Sequence, residues 1–224
     1  MKIVSFLPSS FIDYPGKISA VVFTPGCNFK CGFCHNKEIV ENKLSLIPED
    51  EILKKIKTKW VDAVVITGGE PTLQEDLEKF IKKVKAKHLL VKLDTNGSNP
   101  DIIQNIIDKK LVDYIAMDIK CSIEKYGEVS KYNNTKNILK SIKIIKNSKV
   151  NHMFRTTLIP SIHNKKEILN IVNLIKGSKN YQLQSFNSNS TLDESFQGQS
   201  SYSKQEMDNF KGLIKNKIKN ITVI

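Results

Sequence analysis

The sequence predicts an α/β fold: parallel strands, each followed by an outer helix, in a sheet either left open or rolled into a partial (β/α)6 barrel. Three observations predict it. Short apolar runs alternate with longer amphipathic ones along the 224 residues. The short runs are nearly continuous Val, Ile and Leu, as strands covered on both faces require. Nearly all the unusual polar residues follow the ends of these runs, where parallel α/β folds carry their chemistry.

The elements follow in order. Residues 18–24 read as a strand, and residues 48–60 as a helix entered through Pro48-Glu49-Asp50-Glu51. Residues 63–67 form the second strand and 73–87 its helix. The third pair is 89–94 and 99–110, with Pro100 in the first helical turn. The fourth is 114–119 and 134–147, and the fifth 152–158 and 165–175, closed by Gly177. Residues 181–186 and 204–219 complete the sixth unit, and 221–224 read as a further edge strand. Residues 187–203, rich in Ser and Asn, read as a long loop, a length that points to a functional or mobile segment.

A chain of this length with 40% apolar and 26% charged residues is expected to be one domain, residues 1–224. Its core would span about residues 10–186, with a C-terminal loop and helix over 187–224. The composition excludes a disordered tail, a collagen-like fibre and a disulfide scaffold. No stretch approaches the roughly 20 apolar residues of a membrane helix. Residues 1–8 are too short an apolar run for a secretory signal, so a cytoplasmic protein with no membrane partner is expected. The net charge is +12, yet Arg155 is the only arginine. The lysines are spread over stretches with apolar residues at helical spacing, which reads as solvated helix faces rather than a nucleic-acid footprint. Trp60, at the end of an amphipathic stretch, is expected in the core.

Three of the four cysteines fall within eight residues, Cys27-Asn28-Phe29-Lys30-Cys31-Gly32-Phe33-Cys34. A disulfide is disfavoured, because the cytoplasm is reducing and three clustered thiols leave one unpaired. Structural zinc takes four ligands, and His35, adjacent to Cys34, makes an awkward fourth. An iron–sulfur cubane fits better: three thiolates from one loop leave one iron open to an exogenous ligand. Cys121 stands apart and reads as a small buried residue.

The spacing C-x3-C-x2-C, with Phe33 before the third cysteine, resembles the signature of the radical S-adenosylmethionine superfamily. The preceding Ala20 to Gly26 and the following His35-Asn36 strengthen the likeness. Within it the chain is most similar to glycyl-radical-enzyme activating proteins, above all those of anaerobic ribonucleoside-triphosphate reductase. Activators of pyruvate formate-lyase stand as cousins. The resemblance runs over about residues 10–186 through Phe11-Ile12-Asp13-Tyr14-Pro15-Gly16, Gly68-Gly69-Glu70-Pro71, Asp94-Thr95-Asn96-Gly97 and Met117-Asp118-Ile119-Lys120.

The resemblance implies a [4Fe-4S] cluster on Cys27, Cys31 and Cys34, with S-adenosylmethionine chelating the open iron. Reductive cleavage of its sulfonium bond would yield the radical that attacks a partner's glycine. Phe33, His35 and Asn36 are expected toward the adenine, and Gly68, Gly69 and Glu70 along the methionine amino group. Asp94, Thr95, Met117 and Asp118 would frame a monovalent cation near the carboxylate, with Lys120 and Arg155 as matching cations. Two convergent buried carboxylates need such a counter-charge. Asp13 would face the target glycine loop, and a flavodoxin- or ferredoxin-type protein would donate the electron. In one place the pattern departs: Phe186-Asn187 stands where the family commonly carries His. The competing expectations are a pyruvate formate-lyase-type activator, a small-molecule enzyme such as a 7-carboxy-7-deazaguanine synthase, or a non-catalytic redox or nucleic-acid-binding protein.

Overall fold

The computed structural model describes residues 1–224, which build one eight-stranded sheet in chain order. Its strands are β1 (Ser5–Tyr14), β2 (Lys17–Thr24), β3 (Ala63–Gly68), β4 (Leu90–Thr95), β5 (Tyr114–Asp118), β6 (Asn151–Leu158), β7 (Asn180–Ser185) and β8 (Asn220–Val223). β1 and β2 pair as an antiparallel hairpin, and all later neighbours are parallel. The sheet curls into a half-barrel with β1 and β8 as its two edges.

The strand period of two splits the side chains between an inside and an outside. Inside, Tyr14, Val21, Ala63, Val65 and Tyr114 gather with Phe23, Leu90 and Met153 into an apolar plug. Within it the Tyr14 ring of β1 stands 5.7 Å, centroid to centroid, from the Tyr114 ring of β5, and bringing those two distant strands together requires the curl. Outside, Ala20, Val22, Val64, Ile66, Val91, Leu93, Ile115 and Phe154 meet the helices in the main core. The helices are α1 (Lys37–Val40), α2 (Glu49–Lys55), α3 (Leu77–Lys85), α4 (Pro100–Asp108), α5 (Tyr126–Ser130), α6 (Thr135–Asn147), α7 (Lys165–Leu174) and α8 (Lys204–Ile214). α3 shows how they dock: Leu77, Phe80, Ile81 and Val84 recur at i, i+3, i+4 and i+7 and are all buried. α8 starts on a capping box, Ser203 with Glu206.

The six expected strand–helix units are present, and β8 forms the expected edge. Four expectations need correction. β1 was not foreseen: its residues are mostly exposed and its pairing shifts register twice, so no clean alternation marks it. The expected helix over 48–60 stops at Lys55, where Ile56 turns extended. Trp60, expected in the core, therefore sits in a turn beyond that helix and is 76% exposed; Val61 fills the core instead. The last helix ends at Ile214 rather than at 219. No helix is long and apolar enough to cross a membrane.

Candidate functional site

The carboxyl ends of β2 to β7 open onto one cavity of about 500 Å³. Cys27, Cys31 and Cys34 reach it from the loop after β2, Gly68 and Gly69 from the end of β3, and Asp94 and Thr95 from β4. Asp118, Lys120 and Arg155 line it from β5 and β6, and Phe33, His35 and Asn36 from the cysteine loop. Asp13 reaches the same wall from β1, its carboxylate accepting a hydrogen bond from Ser10 Oγ at 2.6 Å. Parallel pairing explains the convergence, since each strand delivers its last residues to the same rim. A wider hollow of about 760 Å³ opens at the amino ends of the strands, beside Tyr14 and Tyr114. It contains none of the expected site residues, and those two tyrosines belong to the apolar plug.

The three thiols share a wall without converging, with any His or carboxylate, on the position of a single ion. That suits a group in which each thiolate takes its own iron, as in a cubane. Burial pushes the Cys27 thiol up to about 11 and the Cys31 thiol up to about 12. Neither is a thiolate near neutrality unless a cation takes the proton's place, as ligated iron does. Two donors already point at Cys27 Sγ: the Phe29 amide at 3.4 Å and Asn96 Nδ2 at 3.7 Å. Asn96 also donates to Asn28 Oδ1 at 2.9 Å, tying the cysteine loop to the turn after β4. Cys121 is fully buried in the main core and does not line the cavity.

Gly68 and Gly69 are required by the chain's own backbone as much as by any ligand. A Cβ on Gly69 would stand 1.8 Å from the Gly26 carbonyl oxygen, and one on Gly68 2.4 Å from Thr24 backbone atoms. The Gly69 amide donates to Thr24 O at 2.9 Å and the Glu70 amide to Gly26 O at 2.8 Å, locking this turn against the root of the cysteine loop. Gly69→Ala is therefore expected to displace that root and to destabilise the fold by about 1–3 kcal/mol or more. Thermal unfolding would measure it, and a melting temperature equal to the wild type's would contradict the contact.

Glu70 is placed differently from the expectation. Its side chain is fully buried behind the cavity wall and absent from the lining. Its carboxylate accepts from Thr72 N at 3.0 Å, Thr95 Oγ1 at 2.8 Å and Asn96 N at 2.6 Å. Burial raises its pKa while these donors pull it down. It braces the turn after β3 against that after β4, so any action on a ligand passes through Thr95 and Asn96.

Asp94 and Asp118 do converge, and they bring their counter-charge with them. Lys92 Nζ meets Asp94 Oδ1, Arg155 Nη1 meets Asp94 Oδ2 at 2.9 Å, and Arg155 Nε meets Asp118 Oδ1 at 2.7 Å. Lys120 Nζ closes the row on Asp118 Oδ2 at 3.0 Å. Burial alone would raise the Asp118 pKa, but Arg155 and then Lys120 outweigh it and hold the carboxyl far below its ordinary range. Arg155 and Lys92 likewise lower Asp94 against its burial. Burial lowers the Lys92 pKa, and the Asp13 carboxylate lines the same wall, so the row is close to charge balance; Arg155 and Lys120 are the charged donors on the cavity side that a carboxylate could meet.

Sequence reasoning missed Lys92 and the part played by Asn96, and it flagged the loop over 187–203 by its length without naming any residue in it. Lys92 lies two residues before Asp94 on one strand face, a spacing that is the one available signal. At the end of β7 the wall carries Gln184, Ser185, Phe186 and Asn187, and no histidine.

Residues 21–175 match the Radical SAM superfamily. A protein of Methanocaldococcus jannaschii named as a glycyl-radical enzyme activating enzyme is 38% identical over 96% of this chain and 92% of its own. A 7-carboxy-7-deazaguanine synthase of Clostridium acetobutylicum is 33% identical over 57% of this chain and 60% of its own. In fold, the chain is similar to Streptococcus suis SuiB, solved with its precursor peptide SuiA, with a TM-score of 0.70 at 15% identity. That match covers 90% of this chain and 47% of SuiB, so the chain spans about half the length of that structure.

Proposed function

Because the chain belongs to the Radical SAM superfamily, and is therefore a radical SAM enzyme, we propose that it activates a glycyl radical enzyme. It would take a hydrogen atom from a backbone glycine of a protein partner and leave a stored radical there. The observation that carries this reading is the likeness, over nearly the whole of both chains, to a relative named for that activity. We assign the anaerobic ribonucleoside-triphosphate reductase as the target on overall resemblance, ahead of pyruvate formate-lyase, and a flavodoxin- or ferredoxin-type protein as electron donor.

When bound, a [4Fe-4S] cluster and S-adenosylmethionine supply the one-electron cleavage and the hydrogen-atom abstraction. The chain binds, orients and excludes water. Cys27, Cys31 and Cys34 would each hold one iron. Arg155 and Lys120, as the charged donors lining the cavity, would meet the methionine carboxylate, and the Gly68-Gly69 backbone its amino group. Phe33, His35 and Asn36 would border the adenine. Asp94 and Asp118 keep the guanidinium of Arg155 in place, and Thr95 fixes the turn beside it. A monovalent cation would join a row that already holds three cations. Asp13, on the β1 edge of the half-barrel, would face the partner's glycine loop.

The test is anaerobic reconstitution with iron and sulfide, then reduction with dithionite in the presence of S-adenosylmethionine. Formation of 5′-deoxyadenosine, followed by a glycyl radical signal in electron paramagnetic resonance when the reductase is added, is the expected result. Consumption of a pterin substrate with no protein partner would replace this reading with that of a deazaguanine synthase. A well-formed cluster that neither binds nor cleaves the cofactor would overturn the reading at its root.

A further inference from the structure

The cysteine loop has no helix or strand between β2 and α1, so its shape is set by what packs on it. One side is held near α5: the Lys30 amide donates to Ser130 O at 2.9 Å, and the Phe29 ring lies against Tyr126 and Tyr132. The other side is held by residues far along the chain. The Leu192 amide donates to Cys34 O and the Asp193 amide to Gly32 O, both at 2.9 Å. Phe196 stands edge-on to Phe33, ring centroids 6.1 Å apart, and to Phe186 at 6.5 Å. It fills the space over Gly32, where a Cβ would lie 2.7 Å from its Cε2.

The segment that supplies these groups is itself fastened. Thr191 is fully buried and its Oγ1 donates to Asp193 O at 2.7 Å, while Asp193 Oδ1 accepts from the Ser195 amide at 2.9 Å. Ser201 Oγ donates to Phe186 O, and Tyr202 OH to His163 O. β7 and β8 pair directly with each other, so the long connection between them is free for another task. It also lies beyond residues 21–175, the span of the family match, which therefore gives it no role.

We infer that residues 187–203 are a clamp on the cysteine loop, in which Phe196 and the Leu192 and Asp193 amides are positioning groups for Cys31 and Cys34. They hold Gly32 to Cys34 in the shape in which the two thiols receive iron, and the Phe196 ring closes that flank to water. This rests on the assignment of Cys27, Cys31 and Cys34 to the cluster. Groups that orient metal ligands without touching the metal commonly set its retention. Coupling of this kind is reciprocal: whatever factor the clamp adds to iron retention, iron must add to closure of the clamp.

The experiment uses the full chain, reconstituted anaerobically with iron and sulfide, as wild type, Phe196→Ala and Phe196→Leu. Two rates are read: stripping of iron by a chelator, and chymotryptic cleavage after Leu192 with and without iron loaded. Phe196→Ala is expected to lose iron about 10- to 100-fold faster than wild type, with Phe196→Leu close to wild type. Loading iron is expected to slow cleavage of the wild type by a similar factor and to protect Phe196→Ala much less. Equal stripping rates, or cleavage indifferent to loading, would overturn the clamp while leaving the cluster in place. A wild type that takes up no iron would instead remove the cluster assignment, and the clamp with it. Thermal unfolding of the iron-free proteins separates a generally weakened fold from loss of the clamp, and should Phe196→Ala fail to fold, the slowing of wild-type cleavage after Leu192 by iron loading carries the test.

Discussion

Alanine at Cys27, Cys31 or Cys34 is expected to abolish cluster assembly while the chain stays folded, whereas Cys121→Ala should load iron like the wild type. The difference follows from position. The first three thiols line the cavity at the rim of the half-barrel, while Cys121 is sealed in the core between sheet and helices. A cubane with three protein ligands has one iron already open, and a second open iron leaves two thiolates to hold it. Nearby side chains offer little substitution, because the carboxylates of Asp94 and Asp118 are occupied by Arg155, Lys92 and Lys120. Iron and sulfide per chain, with the visible absorption of the reconstituted protein, measure the outcome. Comparable iron loss in the Cys121 variant would refute the three-ligand assignment.

Arg155→Met should be the most damaging single change outside the cysteines. It leaves Asp94 and Asp118 in place but removes the fork that joins them, and breaking a buried ion pair from one side commonly costs about 3–5 kcal/mol. Lys92 and Lys120 each retain one carboxylate, which puts the expected loss toward the lower end. Arg155→Lys should recover only part, since an ammonium does not bridge two carboxylates as a planar guanidinium does. The pH dependence has a definite sign. The native carboxyls of Asp94 and Asp118 are depressed below their unfolded values, so their stabilisation is fully present above about pH 4 and is lost as pH falls through the native range. The stability gap between wild type and Arg155→Met should therefore be widest near neutrality and narrow in acid. Denaturant unfolding at several pH values measures it, and a gap that widens in acid would exclude the pairing. Affinity for S-adenosylmethionine, measured on the loaded protein, should fall with the same substitution.

Much of this architecture is legible before any coordinates. Val64, Ile66, Val91, Leu93 and Ile115 sit in runs apolar enough to be covered on both faces, and the residues that follow them are the ones that meet at the cavity. What stays hidden is whatever lacks a period. β1 carries Pro8, Ser9 and Ser10 in its middle and exposes Phe11 and Ile12, so nothing in it alternates cleanly. Glu70 sits in a motif that points to the ligand, yet its carboxylate turns inward, because Thr72, Thr95 and Asn96 offer donors that solvent-facing positions lack. Lys92 interrupts an apolar run, and only the inward face it shares with Asp94 makes it tolerable. Leu192, Asp193 and Phe196 lie in a stretch whose composition reads as loop, and their partners are some 160 residues away, a relation that no local pattern records.

That last distance has a consequence for how the protein is made. The cysteines leave the ribosome early, but Ser130 and then Leu192 and Asp193, which fix the two flanks of their loop, are synthesised much later. At roughly 5–20 residues per second, the interval between Cys34 and Asp193 is on the order of 10–30 s. During that time the three thiols belong to an unsupported, water-exposed stretch, open to oxidation and to stray metal ions. If the three cysteines hold the cluster as proposed, iron delivery is expected late in biogenesis, and a chain truncated after β7 would carry all three cysteines yet lack Leu192, Asp193 and Phe196, which hold one flank of their loop.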